Sequence, residues 1–378
     1  MTTMRNNRIC FVVLALCASL VGGVPGAASE APYAVEVDGV IYGAVADERG
    51  PIGGGQGYDA IVTSGDHTAR TLDELIDVLA AAEPGDVVFV PGDALIDLTA
   101  RIYIEKLVLE VPAGVTLASD RGAAVDGGGV SEGALFTSDA LDTPIMIRAL
   151  GPGVRITGLR LRGPNTKRYL EHHKRSRDLL GKDYREYYYK FPTSDGIGTS
   201  HDRLEVDNCE ISGFAHAGVQ LSSGEGHHVH HCFIHHCQYQ GLGYGVCHNR
   251  AMSHIERCLF DFNRHSIAGT GRPPSGYLAE HNVELGESLS HCFDMHGGRD
   301  RGDGTNTAGT LIEIRNNTFR PSTTPIKVRG VPEEECVVSQ NWFLHADSPA
   351  EAVVAEEKTE VDNNAYGSDA RIVAADGG

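Results

Sequence analysis

A six-residue phrase recurs at a nearly fixed spacing through the second half of this 378-residue chain. It consists of an aliphatic residue, two variable residues, Asn or Cys, one variable residue and an apolar residue. The fourth positions are Cys209, Cys232, Cys258, Asn317, Asn341 and Asn364, with a weaker copy at Asn282. Successive positions differ by 23, 26, 24, 35, 24 and 23 residues, so one repeat carries an insertion. Self-similarity at this period predicts a stack of similar coils.

The segments around the phrase predict the kind of coil. They alternate apolar and polar residues with period two, and Gly, at 46 residues, is frequent between them. This pattern favours parallel strands, whereas a leucine-rich repeat would need a Leu framework and a helical pattern that the chain lacks. Asn at one corner of each coil would stack into a hydrogen-bonded ladder, and Cys can replace it where the corner is dry. Because neighbouring coils lie ~4.8 Å apart, disulfides between the stacked cysteines remain an alternative.

The amino-terminal part of the repeat region predicts a cap for the open end of the solenoid. Thr71 and Glu74 form a capping box, and the pattern that follows ends at Pro84-Gly85. One apolar stripe along the predicted helix contains Leu72, Leu75, Ile76 and Leu79. With the predicted strand 86–90, this helix would cover the strand edges of the first coil.

The first 28 residues predict a secretory signal peptide. Arg5 and Arg8 precede an apolar run from Ile9 to about Val24, and small residues follow. We expect cleavage near Ala28, a lead-in over 29–60, and a β-helix over 61–370 with insertions at about 165–191 and 297–309. No later segment is apolar over the ~20 residues of a membrane span. The protein is therefore expected to be secreted, extracellular or periplasmic, with lipoprotein acylation at Cys17 as the alternative.

The charge balance restricts the partners. Lys and Arg number 32 against 51 Asp and Glu, which gives a net charge of −19. A nucleic acid is an unexpected partner because phosphate binding needs a basic face. We expect a monomer that binds an acidic polysaccharide and has no membrane span.

Several segments together resemble a known family. They are Gly53–Tyr58, the helix over 71–79, and the segments 85–90, 96–99 and 154–161. They are similar to the opening coils of pectate-lyase-like proteins, and the similarity covers most of residues 40–366. It implies an all-β fold, the right-handed single-stranded parallel β-helix with an N-terminal capping helix. It also implies a carbohydrate-active protein, although this superfamily contains lyases, hydrolases, esterases and phage fibres.

Strand alternation predicts where the chemistry lies. In the segment 293–296, Phe293 and Met295 should point inward and leave Asp294 and His296 outside. One coil later, the alternation in 326–329 turns two cations outward. If these segments stack in register, the four groups lie ~5 Å apart on one exposed sheet. The predicted catalytic residues are His296, Arg329, Lys327 and Asp294.

Neighbouring segments supply candidate substrate-binding residues. The insertion after His296 is Gly-rich and charged, the coil before it offers further cations, and the 165–191 insertion carries eight Lys or Arg among tyrosines. The predicted substrate-binding residues are Arg299, Arg301, Arg264, His265, Arg272, Tyr187 and Lys190. The alternatives are a solvated polar loop, side chains that brace a coil corner, and a basic helix packed on the acidic body. The second insertion is expected to form a helical flap that stacks on sugar rings.

Two metal sites are considered from the sequence. Asp294, Asp300 and Asp303 offer hard oxygen ligands and are the candidate Ca²⁺ site, the one cofactor that we expect. Six histidines between His227 and His236 crowd one coil, where a zinc site would require them to converge with Cys232 or Cys237. A structural role for these histidines is the alternative.

These features predict an enzyme that cleaves a uronate-containing polysaccharide by β-elimination. Such a lyase needs a base for the proton α to the carboxylate and a cation that stabilises the developing charge. Arg329-Gly-Val-Pro332 also resembles the place where pectate lyases carry a catalytic arginine, although Glu333 follows where that motif has a second arginine. A glycoside hydrolase with two carboxyl groups ~5–9.5 Å apart is the second interpretation. A non-catalytic, polysaccharide-binding β-helix is the third.

Overall fold

The computed structural model describes residues 32–167, 170–184 and 190–373. The predicted signal peptide and Tyr187 lie outside these ranges. The chain forms a right-handed parallel β-helix with three long sheets, so the predicted fold is confirmed. Each coil passes from a strand of sheet 3 to one of sheet 2 and then to one of sheet 1, and these sheets are defined by their strands below.

Sheet 1 has nine parallel strands: Leu109–Val111, Ile147–Ala149, Asp195–Thr199, Ala217–Leu221, Tyr244–His248, His265–Gly269, Phe293–Met295, Ile326–Val328 and Val353–Val354. Sheet 2 has eleven strands, the last of them antiparallel: Leu95–Asp97, Leu135–Thr137, Arg160–Arg162, Glu210–Ser212, Phe233–His235, Leu259–Asp261, Val283–Glu284, Thr318–Phe319, Trp342–Phe343, Ala365–Tyr366 and Arg371–Ile372. Sheet 3 has eleven strands: His67–Thr68, Val87–Phe89, Thr116–Ala118, Arg155–Thr157, Glu205–Asp207, Gly224–His230, Ala251–Glu256, Gly276–Glu280, Leu311–Arg315, Glu335–Ser339 and Thr359–Asp362.

Short elements complete the fold. Two antiparallel pairs are formed by Ala34–Val37 with Val40–Gly43 and by Ala124–Val125 with Gly129–Val130. The described helices are α1 (Leu72–Ala81), α2 (Thr99–Glu105), α3 (Leu170–Leu180), α4 (Gly298–Arg301) and α5 (Pro349–Ala352), with a 3₁₀ turn at Gly181–Asp183. None of these helices is long and apolar enough to cross a membrane.

The recurring phrase marks the corner between sheets 3 and 2. The residue before each Asn or Cys adopts a left-handed conformation with φ between 48° and 55°. These residues are Asn208, His231, Arg257, His281, Asn316, Gln340 and Asn363. A non-Gly residue in this region costs roughly 1–2 kcal/mol, so the corner must be stabilised by other contacts.

The predicted ladder supplies those contacts. The side-chain amides of Asn282, Asn317 and Asn341 each donate to the Oδ1 of the next Asn at 3.0 Å, and the run ends at Asn364. Cys258 begins this run, because its backbone N–H donates to Asn282 Oδ1 at 2.9 Å. All seven cysteines of the described chain are buried and free, so the stacked corner thiols form no disulfide.

Helix α1 covers the start of the solenoid as predicted. The Thr71 and Glu74 capping box is present, and Leu75 and Leu79 are buried in the core. The lead-in takes a course that the sequence did not indicate, because it runs along the outside of the corners. The Gly53 N–H donates to Arg257 O at 2.9 Å, and the Gly55 N–H donates to Asn208 Oδ1 at 2.7 Å.

Candidate active site

The predicted stacking of the two charged strands is confirmed. Asp294 pairs in register with Lys327, and the Arg329 N–H donates to Met295 O at 2.9 Å, which places Arg329 one strand beyond His296. The 35-residue repeat does not disturb this register, because its insertion leaves the solenoid after His296 and returns at the next sheet 3 strand. The four predicted catalytic residues therefore share one region of sheet 1.

Asp294 is buried, which corrects the expectation that it faces solvent. Its side chain is fully inaccessible, since the neighbouring side chains cover the outer face of the strand. Arg329 donates from Nε to Asp294 Oδ1 at 2.9 Å and from Nη2 to Oδ2 at 2.8 Å. His291 Nε2 lies 3.0 Å from Oδ1. His296 Nε2 lies 3.1 Å from Oδ2, in an orientation that forms no hydrogen bond.

These neighbours keep the Asp294 carboxylate ionised. Burial acts to raise the pKa of Asp294, but the surrounding histidines outweigh it and hold that pKa well below its usual range. The bidentate guanidinium contact also favours the charged form. Burial lowers the pKa of His291, and it lowers the pKa of His265 well below 6.5. Asp294 and Arg329 thus form the charged pair at the centre of the group.

Lys327 differs from these residues in its surroundings. Its side chain is half-buried, and it forms no salt bridge or hydrogen bond with any residue in the described ranges. Arg329, by contrast, is fully engaged, since Nη1 also lies 3.5 Å from Asp300 Oδ2. Lys327 is therefore the cation of this group that can bind a new anion without losing a partner.

A cavity of about 230 Å³ lies beside the group, over the coils that carry Cys247 and Ala268. Its lining consists of His216, Leu242, Tyr244, Cys247, Ala268, Gly269, Thr270, His296, Asp300 and Arg301. His296 and Asp300 form the edge nearest to Asp294, and the His296 side chain is 26% exposed. His296 thus connects the cavity to the buried carboxylate.

Two predicted substrate-binding residues have structural roles instead. His265 is fully buried below His291, with its ring 4.2 Å from the His291 ring, and its Nδ1 donates to His291 O at 2.6 Å. Arg301 is 7% exposed and donates to Thr270 O at 2.7 Å and to Thr307 O at 3.0 Å. Arg301 therefore holds the 297–309 insertion against the solenoid, and that loop forms the short helix α4 rather than a flexible chain.

The other predicted substrate-binding residues lie at the periphery. Arg264 donates to Leu242 O at 3.3 Å, beside the cavity. Arg299 is 69% exposed and pairs with Glu356, and Arg272 and Lys190 are exposed. The 165–191 insertion contains helix α3, as predicted for a helical flap. Burial lowers the pKa of His173 in this helix, and the charges of Arg177 and Arg264 lower it further.

The three carboxylates predicted to bind Ca²⁺ do not converge. Asp303 accepts from Arg301 Nε at 2.7 Å, whereas Asp294 is held by Arg329. In the described ranges, the converging ligand group at this site is His265, His291 and Asp294. A cation there would have to displace the guanidinium, whose Nη2 also lies 3.1 Å from His291 Nε2. The residues present therefore do not fit a calcium ion.

Sheet 3 carries two further groups of converging ligands. Glu205, His228 and His230 form one, and His228, His254 and Glu256 form the other. Glu256 Oε1 lies 2.9 Å from His228 Nε2 and also accepts from Arg49 at 2.7 Å. The predicted partners for a zinc site, Cys232 and Cys237, are buried in the core. The arginine on Glu256 satisfies the carboxylate without a metal.

Sequence reasoning missed a second polar pair beside the cavity. His216 Nδ1 lies 2.7 Å from Asp195 Oδ1, and the Ala217 N–H donates to the same oxygen at 3.0 Å. The signal was present, because Asp195 lies in register with Ala217 one coil later. The pair was missed because the alternation argument was applied to the later coils.

Comparison with known proteins gives similarity of fold. No family model matches the chain, and no curated protein matches it. An alginate lyase from a Paenibacillus species aligns with a TM-score of 0.42 and 12% identity, over 80% of this chain and 97% of that one. A family 28 exopolygalacturonase from Yersinia enterocolitica aligns with a TM-score of 0.41 and 11% identity, over 82% and 64%. The A-module of a mannuronan C-5 epimerase from Azotobacter vinelandii aligns with a TM-score of 0.43 and 11% identity, over 82% and 89%.

Proposed function

We propose that this chain cleaves a uronate-containing polysaccharide by β-elimination on the outer face of sheet 1. The observation that supports this proposal is the position of Lys327. It is a cation without a salt bridge in the described chain, and it stands in register beside Asp294, whose carboxylate is surrounded by His296 and Arg329. A cation beside a polar group that can accept a proton is the combination that elimination requires.

In this proposal Lys327 binds the substrate carboxylate. Removal of the proton on C5 of a uronate places negative charge on the C5 carbanion and its carboxylate, and a fixed ammonium group stabilises that charge. The C4–O bond then breaks, a C4=C5 double bond forms, and the departing oxygen takes a proton. Because Lys327 forms no salt bridge with any residue that the structure describes, its charge is available in the transition state.

His296 is the proposed base. A proton on Nε2, which lies 3.1 Å from Asp294 Oδ2, leaves Nδ1 as the proton acceptor. Nδ1 lies 3.6 Å from Asp300 Oδ2, at the edge of the cavity. The Asp294 carboxylate beside the ring stabilises the positive charge that the imidazole gains with the proton, and Arg329 holds Asp294 in place, so these two act as positioning residues. Arg329, predicted from the sequence as catalytic, acts in this mechanism through Asp294.

The burial of Asp294 argues against the glycoside hydrolase interpretation. Hydrolysis with two carboxyl groups requires both to reach the glycosidic bond or a water beside it. The Asp294 side chain is fully buried and both of its oxygens are engaged, whereas Asp300 is 36% exposed. Asp303 is paired with Arg301. Asp294 is therefore unavailable as one of the two carboxyl groups of that mechanism.

The proposed elimination is tested with a panel of uronate polymers. Incubation of purified protein with polygalacturonate, polymannuronate and polyguluronate should produce the ultraviolet absorbance of the unsaturated uronate together with new reducing ends. New reducing ends without this absorbance would show hydrolysis and would refute the proposed elimination. Binding of a polymer without either signal would refute catalysis and identify the chain as a non-catalytic, polysaccharide-binding protein. Chelator should leave the rate unchanged, because no step uses calcium.

Variants locate the chemistry. Lys327→Met should lower kcat roughly 10²–10³-fold, the cost of removing one positioned group that stabilises a developing anion. Its unfolding midpoint should match that of the wild-type protein, since Lys327 has no partner to lose. The matched control is Lys106→Met, because Lys106 is exposed and its salt bridge partner is Asp142. Equal turnover by Lys327→Met and the control would exclude Lys327 from the mechanism.

A further inference from the structure

Cys247 differs from the other six cysteines of the described chain. Those six have no accessible surface, whereas Cys247 is 5% exposed and lines the cavity. It lies in register with Ala268, the residue before Asp294 in the same outward row of sheet 1. It packs with Ala217 and Tyr244 in a small cluster separate from the main core.

A histidine–aspartate pair stands beside this thiol. His216 lines the same cavity, and its Nδ1 lies 2.7 Å from Asp195 Oδ1, which leaves Nε2 as the other polar atom of the ring. Asp195 is itself fixed by the Ala217 N–H at 3.0 Å. The Tyr244 ring also packs edge-on against the His216 imidazole, with 5.7 Å between the ring centroids.

The electrostatics agree with this geometry. Burial acts to lower the pKa of His216, but Asp195 and Cys247 outweigh it and raise that pKa to about 10. A positively charged imidazole in the cavity stabilises the negative charge that develops on an attacking or departing sulfur.

We propose that Cys247 is a reactive thiol, in the cavity that the His216–Asp195 pair also borders, that forms a mixed disulfide with small-molecule disulfides entering the cavity. The chemical class of ligand is a low-molecular-weight disulfide such as cystine or glutathione disulfide. The cavity of about 230 Å³ accommodates one half of such a molecule.

The reaction balances without a further reagent. Cys247 Sγ attacks one sulfur of the disulfide, a new S–S bond forms, and the original S–S bond breaks. The other half leaves as a thiolate and takes a proton from solvent. Cys247 is oxidised to one half of the mixed disulfide while the departing sulfur is reduced. His216 keeps its proton throughout.

The modification would also close the cavity beside His296. This consequence rests on the proposed function, whereas the reactivity of the thiol does not.

The thiol proposal is tested with Ellman's reagent, an aromatic disulfide, on the folded protein. One equivalent of the coloured thiolate should be released rapidly from protein produced without residues 1–28, against seven after its denaturation. Peptide mapping of the wild-type product should place the label on Cys247, so this result does not depend on any variant.

Variants separate the causes. Cys247→Ser should abolish the rapid phase, His216→Gln should slow it at least tenfold at pH 6, and Cys336→Ser should leave it unchanged because Cys336 is in the core. Label on another cysteine, or no rapid phase, would overturn the proposal. These readouts need no polysaccharide, so a failure of the proposed elimination leaves them unaffected. Loss of turnover after modification, and its recovery with a reductant, tests the link between the two.

Discussion

Replacing Asp294 with Asn tests whether the buried carboxylate is the centre of the site. Asn keeps the size of the side chain and removes its charge. In the wild-type protein the carboxylate accepts two Arg329 bonds, at 2.8 and 2.9 Å, and is fully buried. The amide NH₂ of Asn would place donors against a guanidinium that has only donors.

The structure sets the expected magnitude. Removing one partner of a buried ion pair costs about 3–5 kcal/mol, because the other charge is left uncompensated. Arg329 is 20% exposed and keeps Asp300 at 3.5 Å, so the lower end, about 3 kcal/mol, applies. The pKa of Asp294 is lowered in the folded state, so its contribution is present above about pH 3.9 and is lost as the pH falls toward the folded value.

Urea unfolding at pH 7, followed by far-ultraviolet circular dichroism and the fluorescence of the single Trp342, measures the effect. A loss of about 3 kcal/mol corresponds to about 1 M in the urea midpoint at a slope of about 3 kcal/mol/M. The control is Asp93→Asn, which removes a carboxylate from an exposed pair with Arg70 and should cost under about 1 kcal/mol.

A double variant provides the decisive comparison. Arg329→Gln added to Asp294→Asn removes the uncompensated charge, so the double variant should be more stable than the sum of the single effects by at least about 1 kcal/mol. Two results would refute the reasoning. One is a single Asp294→Asn effect no larger than that of the exposed control. The other is strict additivity of the two substitutions.

Three other predictions follow from the same structure. His248 is fully buried, and burial lowers its pKa to about 4. As the pH falls from 6.5 to 4, the unfolding free energy of the wild-type protein should therefore fall by about 1.4 kcal/mol per pH unit more than that of His248→Gln. The difference over the whole interval is about 3 kcal/mol. Asn341→Ala removes the acceptor of the Asn317 N–H and should lower the unfolding free energy by about 2–4 kcal/mol, with a smaller loss for Asn341→Cys. Ala268→Leu should fill the cavity and abolish both turnover and Cys247 labelling, with the unfolding free energy nearly unchanged. The control is Ile267→Phe, which overpacks the inward neighbour and should lower the unfolding free energy in urea by about 1–3 kcal/mol.

The sequence was sufficient to predict the repeat, the ladder and the register of the two charged strands. The phrase around each Asn or Cys marks a corner, and corners at a constant spacing allow one way of stacking the strands between them. Asp294 could therefore be placed beside Lys327 although 33 residues separate them.

Burial on the outer face could not be predicted in the same way. Alternation says which side of a strand a residue occupies, but not what covers it. Asp294 lies on the outer side and is still inaccessible, since His291, His296 and Arg329 close over it. Arg329→Ala should therefore reduce stability as well as turnover, because it leaves the buried Asp294 without its main partner.

The path of the lead-in was equally beyond sequence reasoning. Gly53 and Gly55 bind corners at Arg257 and Asn208, far later in the chain, and no pattern in residues 29–60 indicates this. The similarity of this segment to the opening coils of a known family placed it at the end of the solenoid. Contacts between a non-repeating segment and a repeat have no periodicity, so a sequence pattern does not predict them.

One row of sheet 1 joins the two proposals. Cys247, Ala268, Asp294 and Lys327 occupy successive strands in register. At ~4.8 Å per strand, the thiol and the free ammonium group lie about 14 Å apart along the solenoid axis. Ala268 is the small residue of the row, and the cavity lies over it. A polymer that runs along this row would present its carboxylate to Lys327 and an adjoining part to Cys247, so a group attached to the thiol would exclude the substrate without disturbing Asp294.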